Sequence, residues 1–251
     1  MIEVSHRADV AVVQMIHGKA NALDLDLCET MTARLEELKT SLSRAVVITG
    51  QGKIFSAGVD LLRALADGPI YLRKFLPALS TLFETVFLYP KPLVAAVNGH
   101  AIAGGCVLAC AADRRLMARG SGRIGVTELL VGVPFPVIAL EIMRSGTAPH
   151  LCAGSIFSGA TFPPEEALAR GFIDATIDAD DLMERAVAGA QSLAALSPAA
   201  FALTKRQLRQ AALDRCASDR LRFDAAIEEI WLAPETFARI EDYVARTLKK
   251  D

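Results

Sequence analysis

The sequence lacks an excess of basic charge. Its 251 residues include 27 lysines and arginines against 29 aspartates and glutamates, which gives a net charge of −2. Domains that bind nucleic acid usually carry clustered positive charge, so we expect no nucleic-acid partner. A ligand that bears phosphates must then be met by local donors and a few placed cations, because no global field would attract it.

Paired cysteines and metal-binding motifs are also missing. An odd number of cysteines argues against a full disulfide framework, and small buried thiols are typical of proteins in a reducing compartment. No C-x-x-C pair occurs, and no histidine lies at a metal-ligand spacing from a cysteine. We therefore expect buried free thiols and no metal site. The five cysteines are Cys28, Cys106, Cys110, Cys152 and Cys216.

Long apolar runs and targeting segments are absent too. Hydrophobic residues make up 52% of the chain, but glycine, proline or charge interrupts every run well short of a membrane span. The first residues show no charged segment followed by an apolar one, and residues 247–251 do not form a peroxisomal signal. Nucleotide-binding glycine motifs and a nucleophile elbow are also missing. We expect a cytoplasmic protein that does not associate with membranes.

Apolar patterns predict an α/β body. Runs of β-branched and apolar residues at 10–16, 45–49 and 93–97 predict buried strands. Apolar residues at helical spacing predict a helix after the first strand, with Asp24 or Asp26 as its cap. Further helices are predicted at 61–89, with breaks at 68–69 and 77, and at 104–112, 137–143, 164–170 and 181–196.

The character of the sequence changes near residue 197. Up to about residue 178, strand patterns alternate with helix patterns, including short extended pieces around residues 116 and 124. From residue 199 onward, helix formers dominate and no strand pattern occurs. We therefore predict a core at 1–196 and a helical C-terminal region at 197–251.

Two segments share a design in which a buried strand leads through small residues into a helix. They cover residues 55–61 and 98–106. Small residues let a ligand approach the backbone closely, and a helix N-terminus presents unpaired N–H groups with partial positive charge. Two such termini that converge would form an oxyanion hole. Either loop alone is explained as well by packing, so the hypothesis depends on the pair.

Seven stretches in the same order resemble the crotonase, or enoyl-CoA hydratase/isomerase, family. The resemblance covers nearly the whole chain. It implies a spiral of ββα turns whose helical C-terminal region is used to assemble a homotrimer, often as a hexamer made of two trimers. It also implies an acyl-CoA thioester as substrate and no cofactor apart from the coenzyme A of that substrate. The stretches are HGKANAL at 17–23, FSAGVD at 55–60, KPLVAAVNG at 91–99, AGGC at 103–106, AD at 112–113, ELLVG at 128–132 and FPPEEALARGFID at 162–174.

The resemblance also implies a set of site residues. The backbone N–H groups of Val59 and Gly104 would hold the thioester oxygen. Segments 18–23 and 53–60 would line the coenzyme A moiety, while Tyr243 and Arg246 match positions that reach the coenzyme A of a neighbouring protomer. The residues implied to contact substrate are Lys19, Ala20, Ala22, Lys53, Phe55, Ser56, Ala57, Gly58, Asp60, Leu61, Gly105, Val107, Tyr243 and Arg246.

The number of acids in the implied site favours one reaction. Family hydratases use two glutamates, and the matching positions here are Val107 and Glu128. Water addition needs one group to polarise the water and another to deliver a proton, and valine can do neither. A lone carboxyl in a dry pocket has a raised pKa. Such a group suits the transfer of a proton from C2 to C4 of a 3-enoyl thioester.

The sequence therefore predicts a 3-enoyl-CoA to 2-enoyl-CoA isomerase with Glu128 as the acid and base. Two alternatives stay open. One is a hydratase or related enolate lyase with a second acid elsewhere in the chain. The other is a non-catalytic acyl-CoA-binding protein that kept the scaffold, since fold does not fix function. Residues 134–136 replace a glycine-rich stretch of the hydratases. Ala103 replaces a glycine of the family, and we expect no consequence from that replacement.

Some polar residues are interpreted as structural. Asp60 and Asp113 are predicted to be helix caps or structural carboxylates, and residues 113–115 a solvated strand edge. His17, like the other histidines outside the second loop, has no evident partner and is predicted to lie at the surface. His100 is interpreted as an ordinary loop residue.

Overall fold

A computed structural model describes residues 1–247. Its strands are β1 Ile2–Arg7, β2 Val10–Met15, β3 Ala45–Thr49, β4 Ile54–Ser56, β5 Leu93–Val97, β6 His100–Ile102, β7 Arg114–Ala118, β8 Ile124–Gly125, β9 Thr161–Phe162 and β10 Ala175–Ile177. Its helices are α1 Leu25–Lys39, α2 Leu61–Phe87, α3 Gly104–Cys110, α4 Glu128–Val131, α5 Val137–Gly146, α6 Pro149–Ser158, α7 Pro164–Ala169, α8 Leu182–Ala194, α9 Pro198–Leu232 and α10 Pro234–Thr247.

The strands form two sheets. The larger has the order β1-β2-β3-β5-β7-β10 and the smaller the order β4-β6-β8-β9. Three times in succession, a strand of the larger sheet is followed by a strand of the smaller one and then by a helix, as in β3-β4-α2, β5-β6-α3 and β7-β8-α4. The predicted spiral of ββα turns is confirmed. Strands β4, β6 and β8 are parallel neighbours in the small sheet. The helices that follow them, α2, α3 and α4, therefore begin at the same edge of that sheet.

The central strands and the first helix match the sequence patterns closely. Every residue of β3 and β5 is buried, because parallel strands in the middle of a sheet are covered on both faces. Asp24 caps α1 by accepting a hydrogen bond from the Leu27 backbone N–H, and the helix buries the apolar face that its spacing predicts. All five cysteines are buried and free, as expected.

Helix α2 differs from its prediction at one of two points. The helix axis breaks at Gly68, whose φ is 66°, but it continues through Pro77. A proline removes one backbone hydrogen bond. The buried face of α2 compensates for that loss, since Phe75, Leu79 and Phe83 all pack in the core. The break at 68–69 is confirmed and the break at 77 is wrong.

The predicted solvated strand edge at 113–115 is wrong for two of its residues. β7 lies between β5 and β10, so it is not an edge strand. The Asp113 carboxylate accepts hydrogen bonds from Lys205 at 2.7 Å and Arg209 at 3.0 Å, and Arg115 forms an ion pair with Asp174 at 2.7 Å. Only Arg114 is exposed. The structural role of Asp113 is thus confirmed, and it ties α9 to the core.

The C-terminal region consists of α9 and α10. Ser197 caps α9 by accepting a hydrogen bond from the Ala200 N–H, and Glu141 on α5 pairs with Arg215 at 2.7 Å. Residues 248–251 of the predicted region lie outside the described residues. The division of the chain near residue 197 and the role of its C-terminal part in assembly stay predictions.

Within residues 1–247, no single helix combines the length and apolarity that a membrane crossing needs. Helices 179–194 and 198–232 reach that length and apolarity only as a combined pair, and the two are bent by 101° relative to each other.

Candidate active site

The two small-residue loops meet backbone to backbone. Gly58 adopts a φ of +85°, and a Cβ added there would lie 2.7 Å from the Ile102 carbonyl oxygen. A Cβ added at Gly105 would lie 2.3 Å from the Ser56 carbonyl oxygen. Both distances are far below van der Waals contact. Glycine is therefore required at both positions, because any side chain would push the loops apart.

Each loop leaves one backbone N–H without a protein acceptor. Leu23 pairs with the first loop through hydrogen bonds to the Gly58 oxygen, 2.7 Å, and from the Asp60 N–H, 2.9 Å, so that the Val59 N–H between them is left out. Gly104 is the first residue of α3, where an N–H has no partner within the helix. Among the described residues, neither N–H group finds an acceptor.

A small cavity lies where the two loops meet. Its volume is about 70 Å³. The lining is almost entirely apolar, and Glu128 is its only carboxyl among the described residues. The residues that line the cavity are Ala57, Val59, Leu61, Leu79, Phe83, Ile102, Ala103, Gly104, Thr127, Glu128, Val131, Val133, Pro136, Ala139, Trp231 and Tyr243.

Glu128 is a buried and largely unpartnered acid. It opens the short helix α4, is only 9% exposed, and its Oε2 atom has no hydrogen-bond partner. Burial raises the pKa of Glu128 to about 7, although nearby backbone N–H groups pull it down in part. The carboxyl can therefore gain or lose a proton near neutral pH. The burial predicted from its apolar neighbours is confirmed, although Leu129 and Leu130 themselves point outward.

Comparison with known proteins identifies the family. The sequence matches the family model described as enoyl-CoA hydratase/isomerase over residues 5–231. The chain belongs to this family. The crotonase resemblance is confirmed, and with it an enoyl-CoA hydratase/isomerase type of activity, for which the family suggests an acyl-CoA thioester substrate.

The relatives of this hydratase/isomerase family member carry both kinds of name. It is 28% identical to the mitochondrial enoyl-CoA delta isomerase 1 of Rattus norvegicus over 223 residues, which cover 88% of this chain and 77% of the relative. It is 33% identical to a putative enoyl-CoA hydratase of Thermus thermophilus over 213 residues, 83% of each chain. The crystal structure of human mitochondrial delta3-delta2-enoyl-CoA isomerase superposes with a TM-score of 0.93 at 26% identity, over 100% of this chain and 99% of that one.

Part of the implied binding set reaches the cavity of this family member. Ala57, Val59, Leu61, Gly104, Glu128 and Tyr243 all line it. The side chains of Phe55, Ser56 and Val107 are fully buried and do not line it. Instead they hold the loops in place. The Ser56 hydroxyl, for example, donates to the Asn21 carbonyl oxygen at 2.7 Å.

The remaining members of that set lie around the first loop. Lys19 and Lys53 are exposed, and Ala20 and Ala22 are half-buried. Asp60 caps α2 by accepting a hydrogen bond from the Arg63 N–H at 2.9 Å, which confirms its predicted structural role. Gly58 and Gly105 form the contact between the loops. The members of the set that do not line the cavity here are Lys19, Ala20, Ala22, Lys53, Gly58, Asp60 and Gly105.

The prediction that His17 has no partner is wrong. Its Nε2 atom lies 2.8 Å from the carboxylate of Asp24, which is itself the cap of α1. Arg63 binds the same carboxylate at 2.9 Å. Through the Asp24 carboxylate, His17 and Arg63 therefore connect the 17–23 segment with the starts of α1 and α2. Sequence spacing gave no signal for it, because the two residues are seven positions apart in a turn.

Tyr243 lines the cavity of its own chain, together with Trp231. Helices α9 and α10 thus close the site of the same protomer. The implication that Tyr243 and Arg246 reach the coenzyme A of a neighbouring protomer stays a prediction. Arg246 is exposed and donates from Nε to the Asp242 carbonyl oxygen at 3.1 Å. Trp231, the single tryptophan of the chain, was missed because a large apolar residue on a helix predicts only core packing.

Ala103 carries backbone strain at the edge of the cavity. Its φ of 51° and ψ of −126° lie where residues with a Cβ are disfavoured. Alanine in place of the family's glycine therefore places a Cβ in a strained backbone conformation, while its lack of effect on the N–H of Gly104 stays a prediction. We expect Ala103→Gly to raise the free energy of unfolding by about 1 kcal/mol, because relief of strain outweighs the added freedom of the unfolded chain.

Chemical denaturation of a matched pair checks this prediction. Ala101 lies two positions earlier in β6 and has no positive φ. Ala101→Gly should therefore lower the free energy of unfolding by about 0.5–1 kcal/mol. Equal destabilisation by both substitutions would show that position 103 is not strained.

Proposed function

We propose that the protein is an isomerase that shifts the double bond of 3-enoyl-CoA to give 2-enoyl-CoA. The observation that supports this most strongly is the single carboxyl. Glu128 alone among the described cavity residues carries one, and its Oε2 atom is buried without a partner. Hydration would need a second group to handle the water. A positional isomerisation needs only one group, since the proton removed is also the proton returned.

The proposed first step is removal of a proton from C2. The thioester oxygen accepts hydrogen bonds from the N–H groups of Val59 and Gly104, and ionised Glu128 takes the proton from the adjacent carbon. The electron pair of the broken C–H bond moves into a dienolate, which places negative charge on the oxygen. Each of the two donors stabilises that charge by about 3–4 kcal/mol in the transition state. Backbone donors suit this role, because valine at position 59 supplies the same N–H as any other residue.

The proposed second step returns the proton at C4. Glu128, now protonated, gives its proton to C4 as the double bond forms between C2 and C3, so acid and base are regenerated in one cycle. A pKa of about 7 suits both steps, because the group is neither too weak a base nor too weak an acid. The apolar walls keep water from intercepting the dienolate.

The pH dependence of kcat/KM should follow Glu128. The carboxylate form is the base, so activity should fall about tenfold per pH unit below the folded-state pKa of about 7 and level off above it. The raised pKa of Glu128 makes stability depend on pH in the opposite direction from activity. Folded Glu128 binds its proton more tightly than the unfolded chain does, so the free energy of unfolding falls as pH rises from 4.5 to about 7. A kinetic inflection near 4.5 would show a solvated carboxyl.

Product analysis in ¹⁸O-labelled water tests the reaction type. The purified protein is incubated separately with a 3-enoyl-CoA and with a 2-enoyl-CoA, and the products are analysed by mass spectrometry. Isomerisation without uptake of labelled oxygen is the expected result. Uptake of the label would favour the hydratase that several relatives' names suggest, and binding without turnover a non-catalytic acyl-CoA-binding protein. A trimeric or hexameric assembly and a cytoplasmic location stay predictions.

A further inference from the structure

Leu23 contacts both loops that carry the N–H donors of the site. Its backbone forms a bridge with the first loop at Val59. The Leu23 N–H donates to the Gly58 oxygen at 2.7 Å, and its oxygen accepts from the Asp60 N–H at 2.9 Å. Its side chain lies against the second loop, since a Cβ added at Gly104 would lie 3.0 Å from the Leu23 Cδ1 atom. This fully buried residue therefore affects the distance between the two donors.

The next residue, Asp24, connects this contact with two helices. One of its carboxylate oxygens, Oδ1, accepts from the Leu27 N–H at 2.8 Å and so caps α1. The other, Oδ2, lies 2.8 Å from His17 Nε2 and 2.9 Å from Arg63 Nη1. Burial raises the pKa of this carboxyl, but its hydrogen-bond partners lower it further, and the net pKa is below the usual range. Asp24 is therefore a buried, ionised group that holds three segments together.

Arg63 completes a ring of contacts around Val59. Its guanidinium binds Asp24, and its backbone N–H donates to the Asp60 carboxylate at 2.9 Å. Asp60 directly follows Val59, and Asp24 directly follows Leu23. The start of α2 cannot move relative to the start of α1 unless a hydrogen bond or the ion pair breaks. The first donor is thus held by its neighbours on both sides.

We propose that Leu23 and Asp24 are positioning residues. They set the distance between the two oxyanion donors, the N–H groups of Val59 and Gly104. The proposal rests on the proposed function, because this distance matters only if the two groups stabilise an enolate oxygen. A displacement of about 1 Å at a reacting centre can cost on the order of 10²-fold in rate. Loss of either contact should therefore weaken enolate stabilisation more than binding of a neutral thioester.

Enolisation of bound acetoacetyl-CoA tests the proposal with a readout that a loss of stability alone does not change. This thioester has acidic protons at C2. Transfer of one of them to ionised Glu128 leaves the electron pair in an enolate, whose near-ultraviolet absorbance differs from that of the keto form. The oxyanion donors favour the enolate, because its oxygen carries negative charge. We expect the wild-type protein to enrich the enolate relative to acetoacetyl-CoA in water at the same pH.

Asp24→Ser breaks the ion pair but keeps the cap of α1. A serine hydroxyl can still accept from the helix N–H, but it supplies no carboxylate to His17 and Arg63. The ratio of enolate to keto form of the bound acetoacetyl-CoA should fall at least ~10-fold. Affinity for hexanoyl-CoA, which is saturated and stays neutral, should remain within about threefold.

Asp113→Asn is the matched control for Asp24→Ser. It changes another buried carboxylate that holds two cations, Lys205 and Arg209, but it does not line the cavity. This control should lower stability, because it leaves buried cations without their partner. It should leave the enolate ratio unchanged.

Leu23→Ala tests the contact with the second loop. It removes the side chain beside Gly104 and should also lower the enolate ratio at least ~10-fold. Leu35→Ala removes an equally buried leucine of α1 that does not line the cavity. Both alanine variants should be destabilised, but only Leu23→Ala should change the ratio. If Leu23→Ala does not fold, Asp24→Ser decides.

The outcomes distinguish this proposal from the proposed function. An unchanged ratio in Asp24→Ser and Leu23→Ala would overturn the positioning role. An equal loss in these variants and their controls would do the same, since it would reflect general destabilisation. A wild-type protein that binds acetoacetyl-CoA without enriching its enolate would contradict both proposals. Enolate enrichment that the two variants lose, in a protein that does not isomerise 3-enoyl-CoA, would support the positioning role and refute the isomerase.

Discussion

Replacing Glu128 by glutamine is expected to lower the turnover of a 3-enoyl-CoA by 10²–10⁴-fold, the usual contribution of a positioned acid–base group. Glutamine keeps the size of the side chain but cannot take the proton from C2. Because glutamine has nearly the volume of glutamate, its side chain should fit the space that buried Glu128 occupies. Affinity for a saturated acyl-CoA should stay within about tenfold, because the backbone N–H groups and the apolar walls of the cavity are unaffected.

A second buried glutamate provides the matched control. Glu141 on α5 is 1% exposed and forms ion pairs with Arg144 and Arg215, but it does not line the cavity. Glu141→Gln removes a buried charge of the same kind and should lower stability, because it leaves two arginines without their partner. Its turnover at a temperature where it is folded should match the wild type. Unchanged turnover in Glu128→Gln would remove Glu128 from the mechanism.

Substituting Gly58 by alanine is expected to lower kcat by about 10²-fold, which is the effect of losing one well-placed oxyanion donor. The added Cβ would lie 2.7 Å from the Ile102 oxygen, 2.8 Å from the Ala103 Cβ and 3.2 Å from the Gly104 nitrogen. The two loops must then move apart, and with them the N–H groups of Val59 and Gly104. The loss should appear mainly in kcat, since these donors act most strongly on the charge of the transition state.

A control substitution at Gly120 distinguishes backbone strain from displacement of the two loops. It also has a positive φ, +130°, but a Cβ added there meets no atom within 4 Å. Gly120→Ala should therefore lower the free energy of unfolding by about 1–3 kcal/mol and leave kcat unchanged. If both glycine variants reduced kcat alike, the effect would come from general destabilisation. The contact between the loops would then have no special role in catalysis.

The fold was predictable where burial imposes a simple pattern. Strands 45–49 and 93–97 were found to the residue because both faces of each are covered, so no charged residue interrupts their apolar and β-branched run. The strands of the small sheet have only two or three residues each. So short a segment carries no periodicity. Strand β4, which carries the first loop into the site, was therefore missed.

The site was predictable where sequence motifs in a fixed order mark backbone donors and the acid. Glu128, Val59 and Gly104 were found from collinear motifs, and the structure brings all three to one cavity. Leu79 and Trp231 were not found, because the same residue types fill any core and only tertiary packing directs them inward. The same limit applies to the place of Tyr243 in the cavity of its own chain, since a helical pattern does not show which side chains reach a cavity.

Single-turnover transfer of deuterium tests the central claim most directly. A 3-enoyl-CoA that carries deuterium at C2 is mixed with excess protein in ordinary water, and C4 of the product is examined by mass spectrometry. One buried carboxyl that takes the deuteron from C2 and returns it to C4 should carry the label across, so a substantial fraction of the product should hold deuterium at C4. Product with only solvent hydrogen at C4 would contradict the account.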